Sequence, residues 1–297
     1  MIIPLRLKDY CAKLWIRHHT QLNKDCDGLR HYLFIYNSNF KILFIVKVLV
    51  FSAANATDVK EVEFDLLIFT QSWPSTVCKI WTHKNPTHTC SFPNKRDSWT
   101  IHGVWPTIPG TIGPAFCNKT WLFDPEQVKP IEDELEQSWR NIEKDTNIYD
   151  LWAHEWNKHG TCAAILEPFN SELKYFSKGI SLLVTYSMTN ILKVSDIMPS
   201  DEKNYTADQI FNAVKKAIGK NPMVECKFED HIQYLQEVRL CFSKTLELVD
   251  CDGVLLKKSL TNCDKSHGVV YPHYEELPNT NYVQLYKFVN WLQWYTL

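Results

Sequence analysis

The sequence predicts an α+β fold, a single disulfide-stapled domain with a central, mainly antiparallel sheet packed by helices. Three observations carry this reading. Strand-like and helix-like stretches are interspersed along the 297 residues without a regular βαβ repeat. The hydrophobic content of 45% is enough to bury one large core. Eight of the ten cysteines follow an apolar segment near the N-terminus, and an even number in that position reads as a disulfide framework.

The apolar segment is residues 42–53, preceded by Lys41, interrupted by Lys47 and followed by Ala54-Asn55-Ala56. A positive flank, a short apolar core and an Ala-x-Ala ending describe a secretory signal peptide, and the run is too short to span a bilayer. The leader is therefore 1–56, and 57–297 is the domain. Residues 1–40 are read as a start-site artefact or a longer leader. A cytoplasmic arm is disfavoured because a Lys-broken run holds poorly in a membrane. The leader holds 8 of the 32 basic and 3 of the 34 acidic residues, which leaves 24 against 31, or −7, in 57–297. An acidic domain gains little non-specific affinity for a polyanion, which excludes a duplex-coating binder.

Along the domain, 62–70 reads as a strand bounded by Trp73-Pro74. Residues 75–98, with Pro86, Pro93 and the first two cysteines, read as loop. A helix over 124–140 opens with Asp124 at the N-cap and Pro125 at N1. Helical patterns follow at about 150–159, at 171–191, and at 206–219 between Thr206 and Gly219. Two strands are expected around 237–242 and 245–249. An extra aromatic-rich segment, 277–297, carries Leu285, Phe288, Val289 and Leu292 at helical spacing and is read as a helix packed on the domain.

Chemistry concentrates in two short blocks, Ile101-His102-Gly103-Val104-Trp105-Pro106 and His154-Glu155-Trp156-Asn157-Lys158-His159-Gly160-Thr161-Cys162. Three histidines, a glutamate and a lysine suit proton transfer at a phosphate: imidazoles move protons and fixed positive charge holds an anion. If 152–159 is α-helical, His154, Glu155, Lys158 and His159 fall within an arc of roughly 140°. Trp152 and Trp156 then anchor the adjacent side in a core, and Gly160 is placed to end the helix.

Both blocks resemble the two active-site signatures of the T2 family of secreted acid ribonucleases, IHGLWP and HEWxKHGTC. The second is matched in full, and the first departs only in having Val104 for Leu. The resemblance runs from the strand beginning at Phe64 and ending in Gln71-Ser72-Trp73-Pro74 to about Val270-Tyr271-Pro272. It implies an endoribonuclease that cleaves single-stranded RNA through a 2′,3′-cyclic phosphate to 3′-phosphate ends, with no metal or other cofactor. DNA lacks the 2′-OH and should be inert. Carried over residue by residue, His159 is the base and His102 the acid. Glu155 and Lys158 stabilise the phosphorane, His154 contacts the phosphate and Trp105 stacks a base. The resemblance also implies the pairs Cys78–Cys90, Cys117–Cys162, Cys226–Cys263 and Cys241–Cys251.

Glu155 favours the protonated imidazoles and Lys158 opposes them, and the sequence leaves that balance open. Asn118 and Asn204 head N-glycosylation sequons. The protein is expected to be a monomer without stable membrane insertion, either secreted or held in a lysosomal or vacuolar lumen. A zinc reading of His154-Glu155 fails by one place, because Lys158 occupies the position of the second histidine in H-E-x-x-H and His159 at i+5 lies on a different side of an α-helix. No C-x2-C pair supports a metal either. His83, His88, His231, His267 and His273 are read as ordinary surface or core residues, and Trp99 as core. A secreted binding or signalling protein is the alternative function; it would be free to lose His102 or His159, and both are present.

Overall fold

The computed structural model describes residues 63–111, 113–254, 259–274, 289 and 291. The expected leader 1–56 lies outside them, as does the expected helical segment 277–297 apart from Val289 and Trp291. Among the described residues no helix is long and apolar enough to cross a membrane.

The described strands form one sheet, mainly antiparallel, as expected for the α+β class. Strand β1 (Leu66–Ser72) is buried over its whole length, because Leu67 and Phe69 enter the main core and Leu66 and Ile68 a smaller apolar cluster, while β2 (Thr100–Thr107) and the long β5 (Ile232–Ser243) flank its edges. β5 is the spine. One of its edges carries β1 and, at Gln233 and Tyr234, the parallel β7 (Val269–Tyr271). The opposite edge carries β4 (Met223–Glu229) and β6 (Leu248–Val249). β3 (Ser200–Tyr205) pairs with β7.

Helices cover the sheet. α1 (Pro74–Lys84) starts with Pro74 in the first turn and carries Cys78, so this part of the expected 75–98 loop is a helix instead. Proline suits a first helical turn, whose amides have no partner in the helix. The helix expected over 124–140 is broken in two. α2 (Pro125–Val128) opens as predicted, with the Asp124 side chain accepting from the Glu126 amide. A 3-10 turn at Lys129–Ile131, holding Pro130, then interrupts it before α3 (Glu132–Ser138). The helix expected at 150–159 begins as α4 (Asp150–Glu155). It passes through a π turn at Trp156–Gly160 and ends as α5 (Thr161–Ala163).

The pattern at 171–191 resolves into α6 (Glu172–Thr185), capped by Ser171, and α7 (Met188–Val194). α8 (Ala207–Ile218) has the ends expected of it, a capping box between Thr206 and Gln209 and a left-handed Gly219. All four disulfides pair as the resemblance implied.

The core is unusually aromatic. Trp73, Trp139, Trp152, Trp156, Tyr175 and Phe176 are fully buried, and the indole N–H of each of these four tryptophans has an acceptor. Trp73 donates to the Pro272 carbonyl and Trp99 to the Tyr271 hydroxyl. Trp152 donates to the Trp139 carbonyl and Trp156 to that of Trp121. Tryptophans thus fill space and satisfy loop carbonyls at once.

Two such groups decide where β2 sits. Among the described residues it pairs only with β1, so its outer edge presents backbone groups without strand partners there. Trp139 Nε1 donates to the His102 carbonyl at 2.8 Å. The Tyr175 hydroxyl donates to the Val104 carbonyl at 3.0 Å and accepts from the Val104 amide at 3.4 Å. The edge is sealed by side chains, and the strand bearing the first motif is pinned to the helical layer. Tyr175→Phe strips both Val104 groups of that partner in a dry setting. It should cost about 1–3 kcal/mol of stability, read as a lowered midpoint in chemical denaturation. An unchanged midpoint would show that the edge is held by other means.

Candidate active site

His102 owes its direction to a defect in the ladder. Thr70 pairs with Gly103 and Gln71 with Ile101, so His102 is the extra residue of a β-bulge. Bulges re-aim side chains, and here the bulged residue is the histidine of the first motif. The second motif meets it from α4 and the π turn. The approach is close enough that a glycine is needed between them, and a second glycine makes room inside the π segment. A Cβ on Gly103 would lie 2.1 Å from both Glu155 Oε2 and Trp105 Nε1. A Cβ on Gly160 would lie 2.3 Å from the Trp156 ring. Gly160 therefore does not end the helix as expected: its φ of −59° is right-handed and the helix runs on through it.

The π turn changes the geometry that α-helical counting predicts. The Thr161 amide reaches back to the Trp156 carbonyl, an i→i+5 step. Such a step brings residues five apart towards one face. The His154 and His159 rings lie 6.3 Å apart, and His154, Glu155 and His159 each have a side-chain atom within 4.8 Å of the others. The expectation that His159 lies on a different side of the helix is thus corrected.

Around this cluster the polar groups are closely set. Glu155, fully buried, accepts from Trp105 Nε1 at 2.8 Å through Oε2. Its Oε1 lies 3.8 Å from His102 Nε2. His102 Nδ1 is 2.6 Å from Glu237 Oε1. Trp105 lies between the two sides, its ring 5.1 Å from that of His102 and 5.5 Å from that of His159.

The two imidazoles are driven in opposite directions. Burial pushes His102 down, but the Glu237 carboxylate, through charge and hydrogen bond, and then Glu155 outweigh it, leaving the pKa above its ordinary value. Burial pushes His159 down too, and there Lys158, His154 and His102 add to it, leaving a pKa of about 3. His154 is lowered by burial and by Lys158. The balance left open by the sequence is settled by position: Glu237 and Glu155 face His102, whereas burial and then Lys158 dominate at His159. Burial raises Glu155 to about 7, against the pull of His102 and Trp105. One imidazole is held charged and the other neutral, the requirement for an acid and a base working together.

A cleft of about 450 Å³ opens beside His102 and Glu237 and runs past Thr100, Arg140, Asn141 and Asp150. The ribonuclease T2 family model matches residues 64–251. The chain belongs to the ribonuclease T2 family. It is a T2-type endoribonuclease, an RNA-cleaving enzyme. Ribonuclease Oy of Magallana gigas is 35% identical over 214 residues, 71% of this chain and 97% of its own. Ribonuclease T2 of Danio rerio is 31% identical over 227 residues, 71% and 88% of the two chains. The crystal structure of human RNase T2 superposes with a TM-score of 0.59 at 29% identity, over 71% of this chain and 100% of that one.

In this family member all six residues expected at the site, His102, Trp105, His154, Glu155, Lys158 and His159, lie on the β2 bulge strand and the α4–π segment. The expected roles of Asn118 and Asn204 fall elsewhere: both are exposed. Asn118 Oδ1 accepts from the Thr120 amide and hydroxyl. Two residues were not anticipated, Glu237 and Arg239 on β5. Arg239 Nε and Nη2 contact Glu237 Oε2 at 3.1 and 2.7 Å, and the guanidinium lies 5.3 Å from the Trp105 ring centroid. The signal available in the sequence was Glu-Val-Arg, which holds the only charged residues of β5 and puts both on one face of a central strand.

Gly103→Ala should abolish the Trp105–Glu155 contact and lower RNA cleavage by at least about tenfold. Gly160→Ala should lower both activity and thermal midpoint. Cleavage rates and melting curves of the two variants check this, and wild-type behaviour of either would contradict the packing described.

Proposed function

We propose that this T2-type endoribonuclease cleaves single-stranded RNA by metal-independent transphosphorylation, with His159 as base and His102 as acid. The observation that supports this reading is the opposite polarisation of the two imidazoles on either side of Trp105. Neutral His159 takes the proton of the ribose 2′-OH, and the oxygen attacks phosphorus. The P–O5′ bond breaks as His102 delivers its proton to the departing oxygen. A 2′,3′-cyclic phosphate results, and water opens it to a 3′-phosphate with the two histidines exchanging roles.

Phosphorus passes through a pentacoordinate state with extra negative charge. Lys158, half-buried beside His159, is positioned in sequence and helix to meet that charge. Glu155, at about 7, is able to donate a hydrogen bond when protonated. His154, the exposed member, contacts the phosphate. Trp105 presents an aromatic ring, although one side of it carries Arg239; base stacking on such a ring is worth roughly 1–3 kcal/mol. The nucleophile comes from the substrate, so DNA is not cleaved. The chemistry needs one chain, consistent with a monomer. The leader, four disulfides and the exposed sequons at Asn118 and Asn204 support passage through the secretory pathway to the outside or to a lysosomal or vacuolar lumen.

Cleavage of a single-stranded RNA should persist in EDTA and yield cyclic-phosphate ends. It should fall by at least about 10²-fold in His159→Ala and in His102→Ala. A 2′-deoxy substitution at the cleaved nucleotide should block it. EDTA-sensitive cleavage, or cutting at the deoxy position, would refute the mechanism.

A further inference from the structure

We propose that Glu237, held by Arg239, is a positioning residue that fixes His102 as the general acid. The inference rests on the transphosphorylation reading and adds to it a residue 135 positions away in sequence from the histidine it orients.

The geometry carries it. An ionised carboxylate only accepts hydrogen bonds, so the 2.6 Å contact to Glu237 Oε1 requires the His102 Nδ1 to carry a proton. The proton on Nε2 is then the one that can leave. His102 reaches the leaving oxygen with Nε2, whose other neighbour, Glu155 Oε1, is 3.8 Å away. When Nε2–H is given to O5′, the P–O5′ electron pair goes to that oxygen. His102 is left as the neutral Nδ1–H tautomer, still bonded to Glu237. Glu237 does not take the proton; it selects which nitrogen releases one.

The carboxylate is itself fixed. Its Oε2 is occupied by Arg239, and Ser72 Oγ adds a 3.3 Å contact to Oε1. Glu237 sits on β5 where β1 and β4 flank it on both edges, so its backbone has little freedom. Glu225, directly opposite on β4, is the like charge that Arg239 also approaches, at 3.8 Å. Arg239 lies over Trp105, whose Nε1 holds Glu155. The chain of contacts therefore closes around His102. The charged and titratable groups that act on it are Glu237 and Arg239 from β5, Glu155 and His154 from α4, and His159 from the π turn.

Glu237→Gln keeps shape and an acceptor but removes the charge, which separates positioning from packing. In the full-length, oxidised protein, the His102 titration midpoint, followed by ¹H–¹⁵N NMR, should lie above 6.5 in the wild type. It should fall by about one to two pH units in the variant. The kcat of the variant should drop at least about tenfold at pH 7.5, yet approach the wild type at pH 4.5, where the imidazole is protonated without help. KM for a short RNA should change little. A merely structural role predicts an equal loss at both pH values, which would overturn the proposal. So would a wild-type midpoint at or below 6.5, a reading that needs no variant to fold. The NMR midpoints do not depend on cleavage. A wild type that lacks histidine-dependent cleavage refutes the functional reading, and the midpoints still decide for or against the role of Glu237.

Discussion

The site depends on how closely one edge strand and one helix approach each other. β2 and the α4–π segment meet where glycine alone fits, at Gly103 under Glu155, and within the segment Gly160 makes room for Trp156. That contact buries Glu155 and His159, and burial is the largest influence on both. It also accounts for the tryptophans of the motifs. Trp156 fills the space that Gly160 leaves, and Trp105 ties the strand to the helix through Glu155. The motif glycines are small because the machinery on either side of them is large and must touch.

Within that contact, catalysis by two histidines needs a difference between chemically identical groups. The fold creates it by assigning neighbours. β5 brings a carboxylate to His102 from the sheet side, and the α4–π segment brings Lys158 and His154 up to His159 from the helix side. A regular α-helix would place residues five apart about 140° from each other. The extra residue of the π turn closes that angle, and the β-bulge turns His102 to meet the helix. Two local irregularities, one in each kind of secondary structure, converge on one point. Irregular backbone of this sort is concentrated where function demands it.

Much of this was legible in the sequence, and the parts that were not share a cause. The two motif blocks were readable because their chemistry is local, packed into a few residues each. α8 was readable from its caps, Thr206, Gln209 and Gly219, which act within one turn. Glu237 was not, since nothing near it in the chain reveals that its partner is His102. Helix α1 was obscured by cysteine and proline, although Pro74 sits where a helix tolerates it. The π turn leaves no periodic trace, so Gly160 looked like a helix end when its purpose is room for Trp156. Side-chain sealing of β2 by Trp139 and Tyr175 likewise depends on the assembled core.

The most direct measurement is the pH dependence of kcat/KM for the wild-type enzyme on a short RNA. In the proposed mechanism the base His159 must be neutral, so the rate rises with pH through its pKa, about 3. The acid His102 must be protonated, so the rate falls as pH passes its raised pKa. Polarised histidines therefore predict a broad plateau on the acid side, with the rising limb near pH 3 and the falling limb above 6.5. A narrow bell centred near 6.5, as two unperturbed imidazoles would give, or an optimum on the alkaline side, would contradict the electrostatic division on which the site is built.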